Sequence, residues 1–424
     1  MSDTTTTGPV LAADGTPLKK SLNRALRMQK MRALALIAPL LIFVLVTFVA
    51  PIADMLFRSV ENDIVSDTLP LTVEELGNWD PNSNAAPDEA VFKALAADFK
   101  VAVAEKAHTR LGSRLNYEMT GLSSLFRKTG RKAKKFDLET GTDFKAQFED
   151  IDKDWVDPKV WQTIHTYSPT LTNGYFLNAI DMQKSPDGPE MRPENQQIYL
   201  TLFWRTLVMS VMITCSCILL GYPVAWILAN LPPRTANMLM ILVLLPFWTS
   251  LLVRTSAWKV MLQQQGVIND TLVWLGIVAT DDRLALINNQ TGTIIAMTHI
   301  LLPFMILPLY SVMATIPQTY LRAAKSLGAT NWTAFWRVYF PQSVPGIGAG
   351  SILVFILAIG YYITPEIVGG TSGTFISNRI AYHISSSLNW GLGAALGAIL
   401  LAAVMMLYYA YDKIVGIDNV KLGG

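Results

Sequence analysis

Cysteine is nearly absent: the 424 residues hold two, Cys215 and Cys217, both inside the apolar run VMITCSCILL. Two positions apart on a helix they face different sides, which argues against a shared disulfide or metal site. No disulfide framework exists elsewhere. Histidine is scarce too, with four residues scattered at 108, 165, 299 and 383. No H-E-x-x-H or C-x-x-C occurs, which removes the zinc and dithiol chemistries that need those spacings. The G-x-x-x-x-G-K-[ST] loop is missing as well. GGTSGTF (369–375) is glycine-rich but lacks the lysine, so this chain has no P-loop for nucleotide. Charged residues make up only 16%, with a formal net charge of +2. No catalytic residue, metal site or nucleic-acid partner is expected.

What is abundant is apolar surface: 51% of residues are hydrophobic and the mean hydropathy is +0.33. That balance points to several membrane spans. Since about 20 apolar residues cross a bilayer core, six segments qualify: roughly 33–56, 203–230, 236–259, 292–315, 346–368 and 391–412. The first is too long for a signal-peptide core and reads as a retained signal anchor. The expected fold is an all-α integral membrane protein with six transmembrane helices. Its organisation is a cytoplasmic tail (1–32), a first transmembrane helix (33–60), an insertion (61–200) and a five-helix core (201–424) with a cytoplasmic loop at 316–343.

Orientation follows from Lys and Arg in short flanking loops. Twelve fall on the side of the termini, six of them in the tail (Lys19, Lys20, Arg24, Arg27, Lys30, Arg32), against three on the other (Lys259, Arg283, Arg379). Both termini are therefore expected in the cytoplasm, and the insertion outside. The insertion carries 23 acidic and 16 basic residues. In DEAVFKALAADFKVAVAEKAH, Val91, Phe92, Leu95, Phe99 and Val103 recur at helical spacing, so the insertion is expected to be mostly helical. The run FRKTGRKAKKF (126–136) reads as a solvated face, with lipid-headgroup contact as the alternative.

The stretch RAAKSLGATNWTAFWRVYFPQSVPG (322–346) lies on the cytoplasmic side between two spans. Pro317 suits a first helical turn, and residues 318–327 are good helix formers. Gly328 is placed to end that helix in a left-handed conformation. Thr330 or Asn331 can cap a second helix, in which Trp332, Phe335, Trp336 and Tyr339 form one aromatic stripe. Pro341 is expected to end that helix before the chain re-enters the membrane. A low-profile basic helix held by a fixed bend suits a groove of a soluble partner; the alternative is a plain membrane-surface loop.

This stretch resembles the cytoplasmic loop of binding-protein-dependent ABC importer permeases, whose pattern is E-A-A-x-x-x-G, nine residues, then I-x-L-P. Here Ala323, Ala324, Gly328 and Pro341 match in register, while Arg322 stands at the acidic position and Phe340 replaces leucine. LLGYPVAWILANLPP, LLPFWTSLLVRTSAW, LPLYSVMATIP and SVPGIGAGSILVFILAIGYYITPEIVGG look like the spermidine/putrescine-type subfamily. The resemblance covers about 220 residues and leaves out 62–195. It implies the transmembrane permease subunit of an ATP-driven importer in a bacterial inner membrane. Arg322, Ala323, Ala324, Lys325 and Gly328 would be its coupling element. Implied partners are ABC ATPase subunits, two copies in such a complex, which would bind the ATP and magnesium. A second related permease, a periplasmic solute-binding protein and a small solute complete the set. Arg322 fits one half of a heterodimer whose permeases differ.

Polar groups at membrane depth are candidates for the translocation path. Arg254 falls near the outer end of the third span, Glu366 near that of the fifth and Asp54 near that of the first. Trp248, Tyr361 and Tyr362 either line a pore or belong to an aromatic belt. Glu366 with Tyr361 and Tyr362 offers carboxylate and aromatic faces to a polyamine. Arg254 leaves room for an anionic or zwitterionic solute. His299 is expected to hydrogen-bond a neighbouring helix, and GIGAG and GLGAALG to serve close helix packing. An ion-coupled secondary transporter predicts buried mid-span acids and an inverted repeat, neither of which is evident. A membrane-anchored sensor needs neither six spans nor this loop.

Overall fold

The computed structural model describes residues 18–138, 141–185 and 188–415. It divides into two compact units, residues 1–58 and 59–424. The first unit is one helix whose apolar part, Leu26–Arg58, is long enough to cross a membrane and has no buried residues in its most apolar window. It widens to a π-helix over Leu45–Val49. Asp54 accepts a 2.9 Å hydrogen bond from Arg58 Nε four residues on, so it forms a local pair on its own helix.

The second unit opens with a small helical body, residues 59–198. Its core is aromatic. Helix Glu89–Ala104 buries Val91, Phe92, Leu95 and Phe99 on one face, the spacing visible in the sequence, with Val103 partly buried. Phe126, Phe148, Trp155 and Trp161 close over them with ring centroids about 5–6 Å apart. Each indole N–H is satisfied: Trp155 donates to Thr129 Oγ1 and Trp161 to the Trp155 carbonyl. In the run 126–136 Phe126 and Phe136 point inward. Arg127, Lys128, Arg131, Lys132 and Lys134 are exposed, with Lys128 and Lys132 paired to Asp152 and Asp150. A two-stranded hairpin, Met182–Ser185 with Gly188–Met191, ends the body.

Two devices fasten this body to the bundle. Glu118, 3% exposed, accepts from Arg114, Arg192, Tyr167 and Asn178, and Arg114 also donates to the Tyr175 hydroxyl. The Tyr175 ring rests on Gly391, where any Cβ would lie 2.4 Å from the ring; only glycine lets these two approach. Asp181 then accepts from the backbone N–H groups of Ile198, Tyr199 and Leu200, the free donors at the start of the second span.

The bundle has spans Tyr199–Asn230, Gln290–Met313, Asn331–Gly360 and Trp390–Lys413. The second, fourth and fifth share one core of Met209, Ile213, Met297, Met305, Leu309 and Val354. Gly350 sits directly against Met305, as expected for GIGAG.

Three boundaries differ from expectation. The third span, expected as one segment over 236–259, is bent by 93° between Pro233–Trp248 and Leu251–Met261. Pro246 begins a tight 3-10 turn, and Thr249 and Ser250 are extended, so the helix cannot continue. The fifth span ends at Gly360, not 368, and a separate helix, Ile363–Val368, follows. At its other end, Pro341 does not stop a surface helix. The helix runs unbroken from Asn331, with a π-helix over Phe335–Tyr339 in which the Phe340 N–H bonds the Phe335 carbonyl. That wider turn makes room for the proline ring one residue later.

Candidate functional site

The hairpin at 316–343 is built around one turn. Helix Gln318–Ser326 ends with Gly328 at φ +89°; the Gly328 N–H reaches the Lys325 carbonyl and the Ala329 N–H the Ala324 carbonyl. This is the paired-bond glycine cap that a left-handed residue permits. Thr330, rather than Asn331, caps the next helix by accepting from the Thr333 N–H at 3.2 Å. Arg322, Ala323 and Lys325 are exposed, Ala324 is half-buried, and the tip residue Leu327 is 89% exposed. The aromatic stripe divides: Phe335 stacks on the buried Tyr339, whereas Trp332 and Trp336 face outward. The π-helix causes this, because its extra residue rotates the following side chains around the axis.

The second site is the break in the third span. Segment Leu251–Met261 lies against the fourth span and helix Ile363–Val368. Trp258 Nε1 donates to His299 Nδ1 at 3.1 Å, which fixes the His299 proton on Nε2, and the Thr255 and Thr364 hydroxyls meet at 3.1 Å. His299 lies nine residues after Gln290, roughly 14 Å along the helix from its start. Arg254 is on the second leg of the bent pair, Leu251–Met261. It lies within electrostatic reach of His299 and Tyr361, with Nε buried and unbonded and no ion pair among the described residues.

Glu366 is on the separate helix beyond the fifth span, exposed, with its carboxylate held at 2.6 Å by Asn378. Asn378 also donates to the Tyr362 carbonyl, so Tyr362 and Glu366 are brought together. Tyr361 is half-buried and within electrostatic reach of Arg254, and Trp248 ends the first leg of the third span 86% exposed. Sequence reading passed over Asn378, a polar residue at the third position of helix Ile376–Ser385. It also passed over Arg205, a lone charge in TLFWRTLVM, which donates to the Thr371 carbonyl and pins the GGTSGTF loop. His383, at the other end of that helix, bonds the Tyr199 hydroxyl and meets the edge of Tyr117. Burial, with Arg379 nearby, pushes its pKa down to about 4.

Several long apolar helices, one of them broken, together with an exposed, glycine-capped hairpin, fit a multi-pass helical membrane protein. Residues 199–416 match the family described as binding-protein-dependent transport system inner membrane component, and the chain belongs to that family. Its core is similar to the spermidine/putrescine transport system permease protein PotB of Haemophilus influenzae, 36% identical over 220 residues that cover 51% of this chain and 76% of that protein. PotB of Escherichia coli is 34% identical over 220 residues, covering 51% and 79%. A bacterial alginate ABC transporter, solved in complex with an alginate pentasaccharide-bound periplasmic protein, aligns with a TM-score of 0.40 and 18% identity over 51% of this chain and 77% of that one. Residues 59–198 lie outside the family match.

Proposed function

We propose that this chain is a permease subunit of an ATP-driven importer of small polyamines, spermidine or putrescine. The observation that carries the reading is its 36% identity to a spermidine/putrescine permease across that protein's bulk. The outer break supports it: Glu366, held with the Tyr362 carbonyl by Asn378, offers a carboxylate for an ammonium group. In this reading the helix Gln318–Ser326 docks in a cleft of an ATPase subunit, with Arg322, Ala323 and Lys325 as its open face. The complex comprises two ATPases, a second related permease and a periplasmic solute-binding protein. Residues 59–198 face the periplasm, and both termini the cytoplasm.

The test is uptake of labelled spermidine and putrescine by the complete transporter in proteoliposomes with ATP. ATP-dependent accumulation is expected, and Glu366→Gln reduces it while the complex still assembles. A second reading rests on Arg254, whose guanidinium lacks an acidic partner at this level: a zwitterionic or anionic solute would supply one. Uptake of such a solute, with neither polyamine transported, would replace the first reading.

A further inference from the structure

The described bundle is poor in acid. Between 199 and 415 it holds Asp270, Asp281, Asp282, Glu366 and Asp412, and Asp270 is taken by Arg283 at 2.7 Å. Glu366 is therefore the carboxylate of the outer break, and what holds it decides what it can do. A free glutamate at an exposed position samples several rotamers, and fixing them on binding costs roughly 0.5–1.5 kcal/mol. Here that ordering is built in. Asn378 is 7% exposed. Its Oδ1 accepts from the Phe375 N–H at 3.0 Å, which determines which end of the amide carries the donors. Its Nδ2 then gives one hydrogen to the Tyr362 carbonyl at 2.9 Å and the other to Glu366 Oε2 at 2.6 Å.

The helix that carries Asn378 is itself held along its length. The Ile376 N–H donates to Thr206 on the second span, Ser377 donates to the Tyr361 carbonyl, and His383 bonds Tyr199. A buried amide thus spends a hydrogen on an exposed carboxylate that has no ion pair among the described residues. With Oε2 occupied, Oε1 is left to accept. This is the arrangement of a preorganised cation site, in which a surrounding side chain sets the ligand-binding group.

We propose that Asn378 is the positioning residue of the ammonium site: it fixes the Glu366 carboxylate before the solute arrives. The proposal rests on the polyamine reading above. Its test is a double-mutant cycle in the complete transporter, with the KM and Vmax of spermidine uptake as readouts. Asn378→Ala is expected to raise KM roughly three- to tenfold and to leave Vmax within about twofold. Glu366→Gln is expected to raise KM at least as much, and adding Asn378→Ala to it to raise KM no further. A merely structural asparagine gives additive effects instead, and additivity overturns the proposal. Co-purification with the partner subunits reports assembly. If Asn378→Ala does not assemble, Asn378→Asp takes its place. It keeps the volume and the acceptor for Phe375, but sets a second carboxylate against Glu366 so that the two share a proton or move apart. A spermidine KM within about twofold of wild type in Asn378→Asp overturns the proposal as well. If wild type takes up spermidine and Glu366→Gln leaves KM unchanged, the Glu366 site itself fails and this inference with it. If Glu366→Gln raises KM and Asn378→Ala does not, the site stands and only the positioning role is lost.

Discussion

The body at 59–198 and the bundle at 199–415 are both helical, yet they sort their side chains by different rules. In the body, apolar means inside: Phe92, Phe99, Phe126, Phe148, Trp155 and Trp161 are buried, while Lys93, Lys100, Arg127, Lys128, Arg131 and Lys132 on the same helices are exposed, and the one buried charge there, Asp98, is satisfied by Thr72. In the bundle, Met209, Ile213 and Met305 are buried, but Leu219 and Leu220 on the same second span are 74% and 51% exposed. Water enforces the first pattern, because each exposed apolar face costs free energy. Lipid is as apolar as leucine and enforces nothing of the kind, so contact inside the bundle depends on shape and close approach. Polarity is therefore a record of packing in one half of the molecule and silent in the other.

The sharpest way to break that comparison is in the aromatic core. Trp155→Ala removes a fully buried indole and the N–H that Thr129 Oγ1 accepts, leaving that hydroxyl only its bond to the Leu125 carbonyl. Destabilisation of the body by about 3–5 kcal/mol is expected, read as protease cleavage between residues 59 and 198 of the membrane-embedded chain. Cleavage at the wild-type rate would show that this core does not hold the body together. In the bundle, the comparison turns on two residues of similar hydrophobicity. Met305→Ala, at the centre of three spans, is expected to cost about 2–4 kcal/mol. Leu219→Ala, exposed, is expected to stay within about 0.5 kcal/mol. Unfolding of the purified chain by denaturant distinguishes them, and equal effects would mean that Leu219 is packed against a partner.

A smaller effect is expected at the hairpin. Gly328→Val forces a β-branched side chain into φ +89°, at a cost of about 1–2 kcal/mol, and the strain is relieved by tilting helix Gln318–Ser326. ATPase co-purification or transport-coupled hydrolysis should fall while the amount of permease in the membrane does not. Normal coupling would reduce this hairpin to a surface loop. The smallest effect at neutral pH is at His383, whose pKa lies near 4 instead of 6.5. A lowered value means that the neutral ring stabilises the fold fully above about 6.5, and that this contribution is lost as pH falls toward about 4. Wild type should lose thermal stability across that window by more than His383→Gln does; identical pH slopes would remove His383 from the joint.

The same contrast explains what was legible beforehand. The helix face of Val91 to Phe99 could be read directly, because burial there follows hydrophobicity. The left-handed Gly328 could be read as well, because a glycine cap is a local backbone requirement. The existence of the spans follows from hydropathy, but their ends do not. Averaging over about 20 residues hides the bend at Thr249–Ser250 and the stop at Gly360, although Pro246 and the Gly360–Tyr361–Tyr362 sequence mark both places. Arg254, Tyr361, Tyr362 and Glu366 were recognisable as polar groups in apolar surroundings. The link between the Tyr362 carbonyl and Glu366 was not, because it depends on Asn378, a residue with no distinguishing mark in sequence. Pro341 misled for a related reason: a proline signals a helix end only where the turn before it has ordinary width.

That unbroken helix from Asn331 to Gly360 has a mechanical meaning. Thirty residues of helix make a rod roughly 45 Å long, with Trp332 and the hairpin at one tip and Tyr361 at the other. A rod pivots where it is gripped most tightly, and the close contact of Gly350 with Met305 supplies a fulcrum part-way along it. A displacement of the hairpin about that point would move the aromatic residues at the far tip in the opposite direction, by an amount set by the ratio of the two arms.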